Sequence, residues 1–182
     1  MVRRLSISGA LSGAALAGLV LVVAAAAAPP VGGPIEFYAP ATNTPEGTIT
    51  FAGAIGDYGK ALSMDKNGKP NTNGNFVKTT LRYGGFIVDV TALNKVAAKA
   101  PASIINKTTC SFAFSATGPV TLGHGTGLYK GVSGTVNVTI HFLGDGPLYT
   151  TGAKKGQCNQ SNSAKLLSQR GWITGEGSVK FG

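Results

Sequence analysis

Four residues could supply acid–base chemistry in a chain of which only 13% is charged, and they are Asp57, Tyr58, Arg82 and Glu176. A carboxylate can take a proton from a substrate, and a tyrosine or an arginine can stabilise the charge that develops. Asp57 and Tyr58 lie between two glycines, a pattern typical of a turn, so the simpler interpretation is a carboxylate that accepts hydrogen bonds from backbone N–H groups. Glu176 also lies between two glycines, where a bent strand could direct it inward, although an exposed carboxylate is the simpler interpretation.

The common catalytic and metal-binding motifs are missing from the sequence. Its two histidines, His124 and His141, belong to no cluster of His, Cys and carboxylates with metal-ligand spacing, so we expect no metal site. No serine lies in a Gly-x-Ser-x-Gly motif, and no glycine-rich segment has the spacing of a phosphate-binding loop. We therefore expect no cofactor.

The first 28 residues are typical of an export signal. Arg3 and Arg4 are followed by an uncharged apolar stretch that ends in five alanines before two prolines. This order predicts a cleaved signal peptide over residues 1–28. The alternative is an uncleaved anchor helix, because about 20 apolar residues suffice to span a bilayer. Both alternatives predict a secreted or extracytoplasmic protein, whose membrane contact would be limited to an uncleaved leader.

Removal of the leader would leave 14 Lys and Arg against 7 Asp and Glu. Arg82 and Arg170 are then the only arginines, and arginine is the residue on which bidentate phosphate contacts and base recognition depend. Nucleic acid is therefore not an expected partner. The scattered lysines suit a solvated basic surface, or a loose attraction to an anionic surface or polymer.

Cys110 and Cys158 are the only cysteines, and an exported chain meets an oxidising compartment. We expect a disulfide bond between them, which would contribute at most about 4 kcal/mol by closing a long loop. A reactive thiol pair is the alternative, but the spacing is not that of a Cys-x-x-Cys redox motif.

The rest of the chain alternates apolar and polar residues over short runs separated by glycines, prolines and polar turns. About eight runs have the alternation of strands, and a single helical stretch lies over residues 92–100, with Thr91 as its N-cap. The pattern predicts an all-β fold, either a sandwich or a closed antiparallel barrel, that starts at residue 47. Residues 29–46 would form an extended lead-in, and residues 60–75 a loop at the lip of a pocket.

A hairpin is predicted over residues 76–91, with Gly84-Gly85 as its two-residue turn. In this register, Arg82 and Lys78 both lie diagonal to Asp89 on one face, and we expect these charges to neutralise one another as ion pairs. The alternative is a kink at Gly84-Gly85 within one continuous strand, in which this pairing is lost.

The densest motif of the sequence is a glycine-rich segment that runs into a long strand over residues 123–142. Its glycines suit a tight corner between two barrel strands. The segment GTGLYKGVSGTVNVTIHF resembles the glycine-rich corner of the allene oxide cyclase and dirigent proteins, one superfamily of eight-stranded antiparallel barrels. The resemblance implies structural roles for the positions Gly125, Gly127, Tyr129, Gly131 and Gly134.

The expected fold is therefore all-β, an eight-stranded antiparallel β-barrel with one short helical crossover, preceded by an N-terminal signal or anchor helix. The barrel of the resembling proteins would correspond to residues 47–182. Their catalytic residues are not transferable, because the residues that flank Asp57 do not match.

An eight-stranded barrel is wide enough for side chains or for one small ligand. The plant proteins of this superfamily guide the cyclisation or coupling of small apolar molecules, so the resemblance implies a secreted protein that binds a small apolar ligand, without an identifiable catalytic site. One alternative is an isomerase or cyclase whose acid and base come from the four residues named first. Another is a cell-surface or wall-associated structural protein. The plant relatives are oligomers, so the resemblance also implies a homo-oligomer.

Overall fold

A computed structural model describes residues 31–159, 161 and 164–182, and the predicted leader lies outside these residues. The described chain forms nine strands and one short helix. Along the chain these are β1 (Gly33–Pro40), β2 (Glu46–Gly53), β3 (Tyr58–Met64), β4 (Phe76–Leu81), β5 (Gly84–Asp89), α1 (Thr91–Ala97), β6 (Ser103–Asn106), β7 (Ser111–Gly127), β8 (Ser133–Asp145) and β9 (Ser168–Lys180).

Eight of the nine strands close into an antiparallel barrel, which confirms the predicted fold class. Neighbours in the barrel follow the order β5-β4-β3-β2-β1-β9-β8-β7, and pairing of β5 with β7 closes the ring. The ninth strand, β6, pairs with the start of β7 and lies outside the ring.

The barrel begins earlier in the chain than residue 47, the start expected from the sequence. The segment expected to be an extended lead-in contains β1, which pairs with β2 on one side and with β9 on the other. Prolines at positions 34 and 40 interrupt the apolar pattern, so the sequence does not indicate this strand. Both lie near the ends of β1, where a missing backbone N–H is tolerated.

The hairpin of β4 and β5 turns two residues earlier than predicted. Leu81 pairs with Gly84, so Arg82 and Tyr83 form the two-residue turn and the glycine pair belongs to β5. The predicted register is therefore wrong.

Close packing between strands explains the two glycines. A Cβ atom on Gly84 would lie 2.1 Å from the carbonyl oxygen of Thr126 in β7, and one on Gly85 would lie 2.2 Å from that of Thr79 in β4. No side chain fits at either position. The glycines serve the approach of β5 to its neighbours, and the sequence pattern alone does not distinguish this role from a turn.

The helix is also shorter than predicted. It spans Thr91–Ala97, with Val90 at its N-cap position, and the carboxylate of Asp89 accepts a hydrogen bond from the Thr91 N–H at 2.8 Å. Leu93 is its buried residue and packs against β7, where a Cβ on Gly118 would lie 3.1 Å from the Leu93 Cα. In the described part of the chain, no helix is long and apolar enough to cross a membrane.

The two ends of the barrel differ. We call the end that carries the turns at residues 54–57, 82–83 and 128–132 the closed end, because a continuous aromatic stack fills the interior beneath it. Successive ring centroids in this stack are 5.4, 5.4, 5.8 and 6.4 Å apart, from Phe37 through Phe51, Phe86 and Tyr129 to Phe181. The opposite, open end carries α1 and the loops at residues 41–45 and 65–75.

Strands β7, β8 and β9 are 17, 13 and 13 residues long, whereas β1 to β5 have six to eight. The long strands therefore extend past the barrel at the open end, where β6 joins them. A disulfide bond between Cys110 and Cys158, as predicted, connects the β6–β7 turn to the segment between β8 and β9.

Candidate functional site

The barrel interior opens at its open end into a pocket of about 250 Å³. Its inner wall is aliphatic and comes from inward-facing residues of all eight barrel strands and the start of the helical segment. The wall residues include Ile49, Val77, Val88, Val90, Val120, Val138, Ile140 and Ile173.

The size of the inward-facing side chains explains why a pocket forms here. Ala39, Ala61 and Ser63 line it where larger residues would meet across the barrel. Phe37 lies at the boundary with the aromatic stack, and its ring occupies the space next to Gly175, where a Cβ atom would lie 2.1 Å from the ring. The closed half of the interior is thus filled by aromatic rings, and the open half is left partly empty.

The rim of the pocket is polar but uncharged. Thr42, Thr44 and Thr72 contribute hydroxyl groups. Asn94 of α1 donates hydrogen bonds to the carbonyl oxygen of Gly74 at 3.1 Å and to the side chain of Asn75 at 3.0 Å, which joins the helix to the loop between β3 and β4. That loop is the later part of the segment 60–75 predicted to form a pocket lip, whereas residues 60–64 belong to β3 and are not a loop. None of the described residues that line the pocket is ionisable.

The closed end holds a buried carboxylate. The Asp57 side chain has 0% of its surface exposed. Its Oδ1 accepts hydrogen bonds from the Tyr58 N–H at 2.8 Å and from Arg82 Nε at 3.0 Å. Its Oδ2 accepts bonds from the Tyr129 hydroxyl at 2.7 Å and from the Tyr83 N–H at 3.2 Å.

Three turns therefore meet on one carboxylate. Arg82 pairs with Asp57 across the closed end, so the predicted ion pair with Asp89 is wrong. The guanidinium carbon of Arg82 lies 4.6 Å from the ring centroid of Tyr58 and 5.0 Å from that of Tyr83. The two half-exposed rings and the arginine cover the buried carboxylate.

The hydrogen bonds decide the charge state of this cluster. Burial alone would raise the pKa of Asp57, but the bonds from Tyr129, Arg82 and two backbone N–H groups outweigh burial and hold that pKa below its ordinary value. Burial and the neighbouring carboxylate raise the pKa of Tyr129, which stays protonated as a donor.

This arrangement leaves Asp57 little capacity to act as a base. A carboxylate has about four acceptor positions, and four donors occupy them here. Neither Asp57 nor Tyr58 nor Arg82 lines the pocket at the other end of the barrel. The geometry is that of a clamp between turns, in agreement with the simpler interpretation of the Gly-Asp-Tyr-Gly segment.

Glu176 lies apart from the other three acid–base candidates. It is exposed on the outer face of β9, opposite Glu36 of β1 and Asn137 of β8. The inward orientation considered from its flanking glycines is not seen. The structure thus brings Asp57, Tyr58 and Arg82 together and leaves Glu176 outside.

The glycine-rich corner forms the end of β7 and the turn into β8. A Cβ atom on Gly125 would lie 1.7 Å from the carbonyl oxygen of Tyr129, and Gly127 has a positive φ of 60°. The corner holds Tyr129 so that its buried hydroxyl reaches Asp57, a contact that spans 72 residues of sequence. No local sequence pattern indicates this partner, since it comes from another turn. The remaining positions of the corner are Gly131 and Gly134.

The structure places His141 in an aromatic pair. Among the described residues, no group of three or more His, Cys, Asp and Glu side chains is placed to hold a metal ion. His141 of β8 instead stacks on Trp172 of β9, with ring centroids 4.9 Å apart.

Comparisons of this chain with models of protein families, with curated proteins and with solved structures find no match. The apolar pocket at the open end and the Asp57 cluster at the closed end are therefore the features that bear on function.

Proposed function

We propose that this chain is an exported binding protein that takes one small, uncharged, apolar ligand into the pocket at the open end. The observation that supports this proposal is an open pocket of about 250 Å³ whose described lining has no ionisable side chain. Binding sites for small molecules are typically concave and mostly apolar, with a few polar groups that orient the ligand. The hydroxyls of Thr42 and Thr44 donate to backbone carbonyls and can accept a hydrogen bond from a ligand, so together with Thr72 they are suited to that orienting role.

The volume limits the size of the ligand. A cavity of about 150 Å³ accommodates benzene, so a pocket of about 250 Å³ suits a molecule of roughly ten heavy atoms. A carboxylate or ammonium group inside the pocket would lose its hydration without gaining a charged partner. The ligand class is therefore a neutral hydrocarbon-rich molecule with no more than a hydroxyl or carbonyl group at one end.

The alternative of an isomerase or cyclase is less well supported by this geometry. Such an enzyme needs an acid or a base within hydrogen-bond reach of the bound substrate. Asp57, Tyr58 and Arg82 lie at the closed end, where donors occupy the acceptor positions of the Asp57 carboxylate. Glu176 lies on the outer face.

Two further parts of the proposal concern the compartment of the protein and its superfamily. The disulfide bond is compatible with an oxidising compartment outside the cytoplasm, which supports export. The glycine-rich corner implies a closed eight-stranded barrel, and the chain forms such a barrel. From the corner and the fold together, we propose that the chain is a distant member of the allene oxide cyclase and dirigent superfamily.

The binding proposal is tested with a neutral apolar fluorophore of about ten heavy atoms, 2-naphthol, titrated into the full chain. Ala61→Phe places a ring in the pocket, and we expect it to weaken probe binding at least tenfold, because the ring fills space that the ligand needs. Ala52→Phe makes the same chemical change on the exposed outer face of β2 and should leave binding within about twofold.

Urea unfolding of both variants shows whether they remain folded. The proposal is overturned if the folded protein binds no neutral probe. It is also overturned if Ala61→Phe and Ala52→Phe bind the probe equally well, since the probe would then bind outside the pocket.

A further inference from the structure

The extension of β6 to β9 beyond the barrel carries a concentration of positive charge. Five of the 14 basic residues after the leader lie in it, against one of the seven acidic residues. That acid, Asp145, accepts hydrogen bonds from the hydroxyls of Ser111 and Ser168. The basic residues are all exposed, and we call the surface they form with the apolar residues named below the basic end: Lys107, Lys154, Lys155, Lys165 and Arg170.

These cations have no acidic partner in the described part of the chain, where the ion pairs are Lys60 with Glu46 and Arg82 with Asp57. Lys154 is placed over the ring of Tyr149 at 5.7 Å. The charge of the basic end is therefore not neutralised within the protein and is available to an anionic partner.

Large apolar side chains are exposed among these cations. Leu167 has 72% and Ile105 has 65% of its surface exposed. Leu143 and Leu148 are exposed to 41% and 40%. Leu143, Ile105 and Arg170 line one shallow depression on the extension. Ile105 and Leu143 are thus exposed together beside a cation, and an exposed apolar patch of this kind marks an interaction surface, which a solvated basic surface does not need.

Several bonds hold the basic end as one unit. The disulfide joins Cys110 to Cys158, and Leu148 forms a β-bridge with Cys158. The N–H of Leu167 donates to the carbonyl oxygen of Asp145 at 2.8 Å. Charged and apolar groups from three chain segments are thus presented together.

We propose that the basic end docks on the surface of an anionic lipid bilayer. Lysines meet the lipid phosphates, each contributing about 1 kcal/mol near such a surface, while the apolar tips enter the headgroup region. A soluble anionic polymer would satisfy the lysines but would leave Ile105 and Leu167 in water. The combination of the two kinds of side chain therefore favours a bilayer.

The position of the basic end gives this docking a direction. It lies at the open end of the barrel, where Gly171 of β9 packs against Ala41 at the pocket mouth. β1 starts at the closed end, where Gly33 pairs with Val179. Docking therefore turns the pocket mouth towards the lipid, whereas an uncleaved leader would hold the closed end there. The docking does not depend on whether the pocket binds a ligand.

The single tryptophan of the chain reports on this contact. Trp172 lies in β9 two residues from Arg170, and the leader contains none. Full-length protein is mixed with vesicles of phosphatidylcholine that carry a dansyl-labelled headgroup, which quenches tryptophan by energy transfer without contact, with and without phosphatidylglycerol. We expect quenching of Trp172 fluorescence to be stronger on the anionic vesicles than on the neutral ones, and to weaken towards the neutral level as salt is added.

Two matched triple variants test the location of the charge. Lys154→Glu, Lys155→Glu and Lys165→Glu together should weaken vesicle binding about a hundredfold, since 1 kcal/mol corresponds to about fivefold for each lysine. The control changes Lys78, Lys130 and Lys180, which are exposed outside the basic end, to Glu and has the same net charge. It should keep quenching of Trp172 within about threefold of the parent.

Each outcome decides the proposal. Equal losses in the two triple variants would show attraction by net charge without a docking surface. Quenching that survives Ile105→Ser with Leu167→Ser undiminished would show that the apolar tips do not enter the lipid. If soluble polyphosphate binds with the same lysine dependence while anionic vesicles fail to quench Trp172, the partner is a polymer and the bilayer proposal is wrong.

Discussion

Asp57 illustrates how one buried side chain can organise the end of a barrel. Its carboxylate receives donors from the turns at residues 54–57, 82–83 and 128–132, which are otherwise separate hairpin tips. A buried charge is costly unless every acceptor position is satisfied. Removal of this charge would leave the Tyr129 hydroxyl and two backbone N–H groups facing a poorer acceptor.

We expect Asp57→Asn to lower the free energy of unfolding by about 3 kcal/mol at neutral pH, because the buried charged acceptor of four hydrogen bonds is replaced by a poorer, neutral one. The folded-state pKa of Asp57 lies below its unfolded value of about 3.9, so the carboxylate stabilises the fold above that value. This contribution is lost as the pH falls through the folded pKa. The difference between parent and variant, measured by urea unfolding at a series of pH values, should shrink below about pH 4.

Glu176→Gln is the matched control, since it removes one carboxylate from the exposed outer face. Its unfolding free energy should stay within about 0.5 kcal/mol of the parent. A penalty for Asp57→Asn that stayed constant down to pH 2 would show that the charge of Asp57 is not the stabilising feature.

At the scale of the element, the glycine-rich corner acts through close approach of the backbone. Gly125 has no space for a side chain beside the Tyr129 carbonyl, and His124 before it has a positive φ of 55°. Over the corner, β7 stays paired with β5 as far as Gly127 but leaves β8, whose pairing with β7 ends at Leu122 and Gly134. Gly123, two residues earlier, has no atom within 4 Å of where its Cβ would lie.

These two glycines provide a paired test. Gly125→Ala should destabilise the protein by about 3 kcal/mol, because the backbone must move to admit the Cβ atom. Gly123→Ala should change the unfolding free energy by less than about 1 kcal/mol. Thermal unfolding followed by circular dichroism measures both. Equal stability of the two variants would contradict a role for close packing at the corner.

At the scale of the whole molecule, the pocket and the disulfide lie in different parts of the fold. The barrel interior contains the aromatic stack and the pocket, and the described pocket lining includes no residue of the extension from 103–117 or 141–170. The disulfide lies within the extension. Pocket and disulfide can therefore be perturbed independently.

Replacement of both cysteines by serine should lower the free energy of unfolding by at most about 4 kcal/mol, because the unfolded chain regains the freedom of a long loop. Affinity for the neutral apolar probe should stay within about twofold, since the pocket walls do not change. Urea unfolding with and without a reductant provides the comparison for the parent protein. Loss of probe binding on reduction, at urea concentrations where the barrel is still folded, would show that the extension shapes the pocket.

Much of this fold could be predicted from the sequence, because it depends on local patterns. Alternation of apolar and polar residues indicated strands, the glycine-rich corner indicated a barrel, and two cysteines behind a predicted export signal indicated a disulfide bond. The first two signals each involve only a few neighbouring residues, and the third involves a single pair of cysteines. The prediction was wrong where one local pattern had two physical uses, as with Gly84-Gly85, which serves strand packing and not a turn.

The sites themselves were decided by the tertiary structure. The side-chain partners of Asp57 lie 25 and 72 residues away, on turns that meet only when the barrel closes. The pocket likewise depends on which residues of several strands face one level of the interior, which is set by strand register. A sequence thus determines which segments become strands and how their faces alternate, whereas register and closure determine which side chains meet, because those contacts form between segments that are distant along the chain.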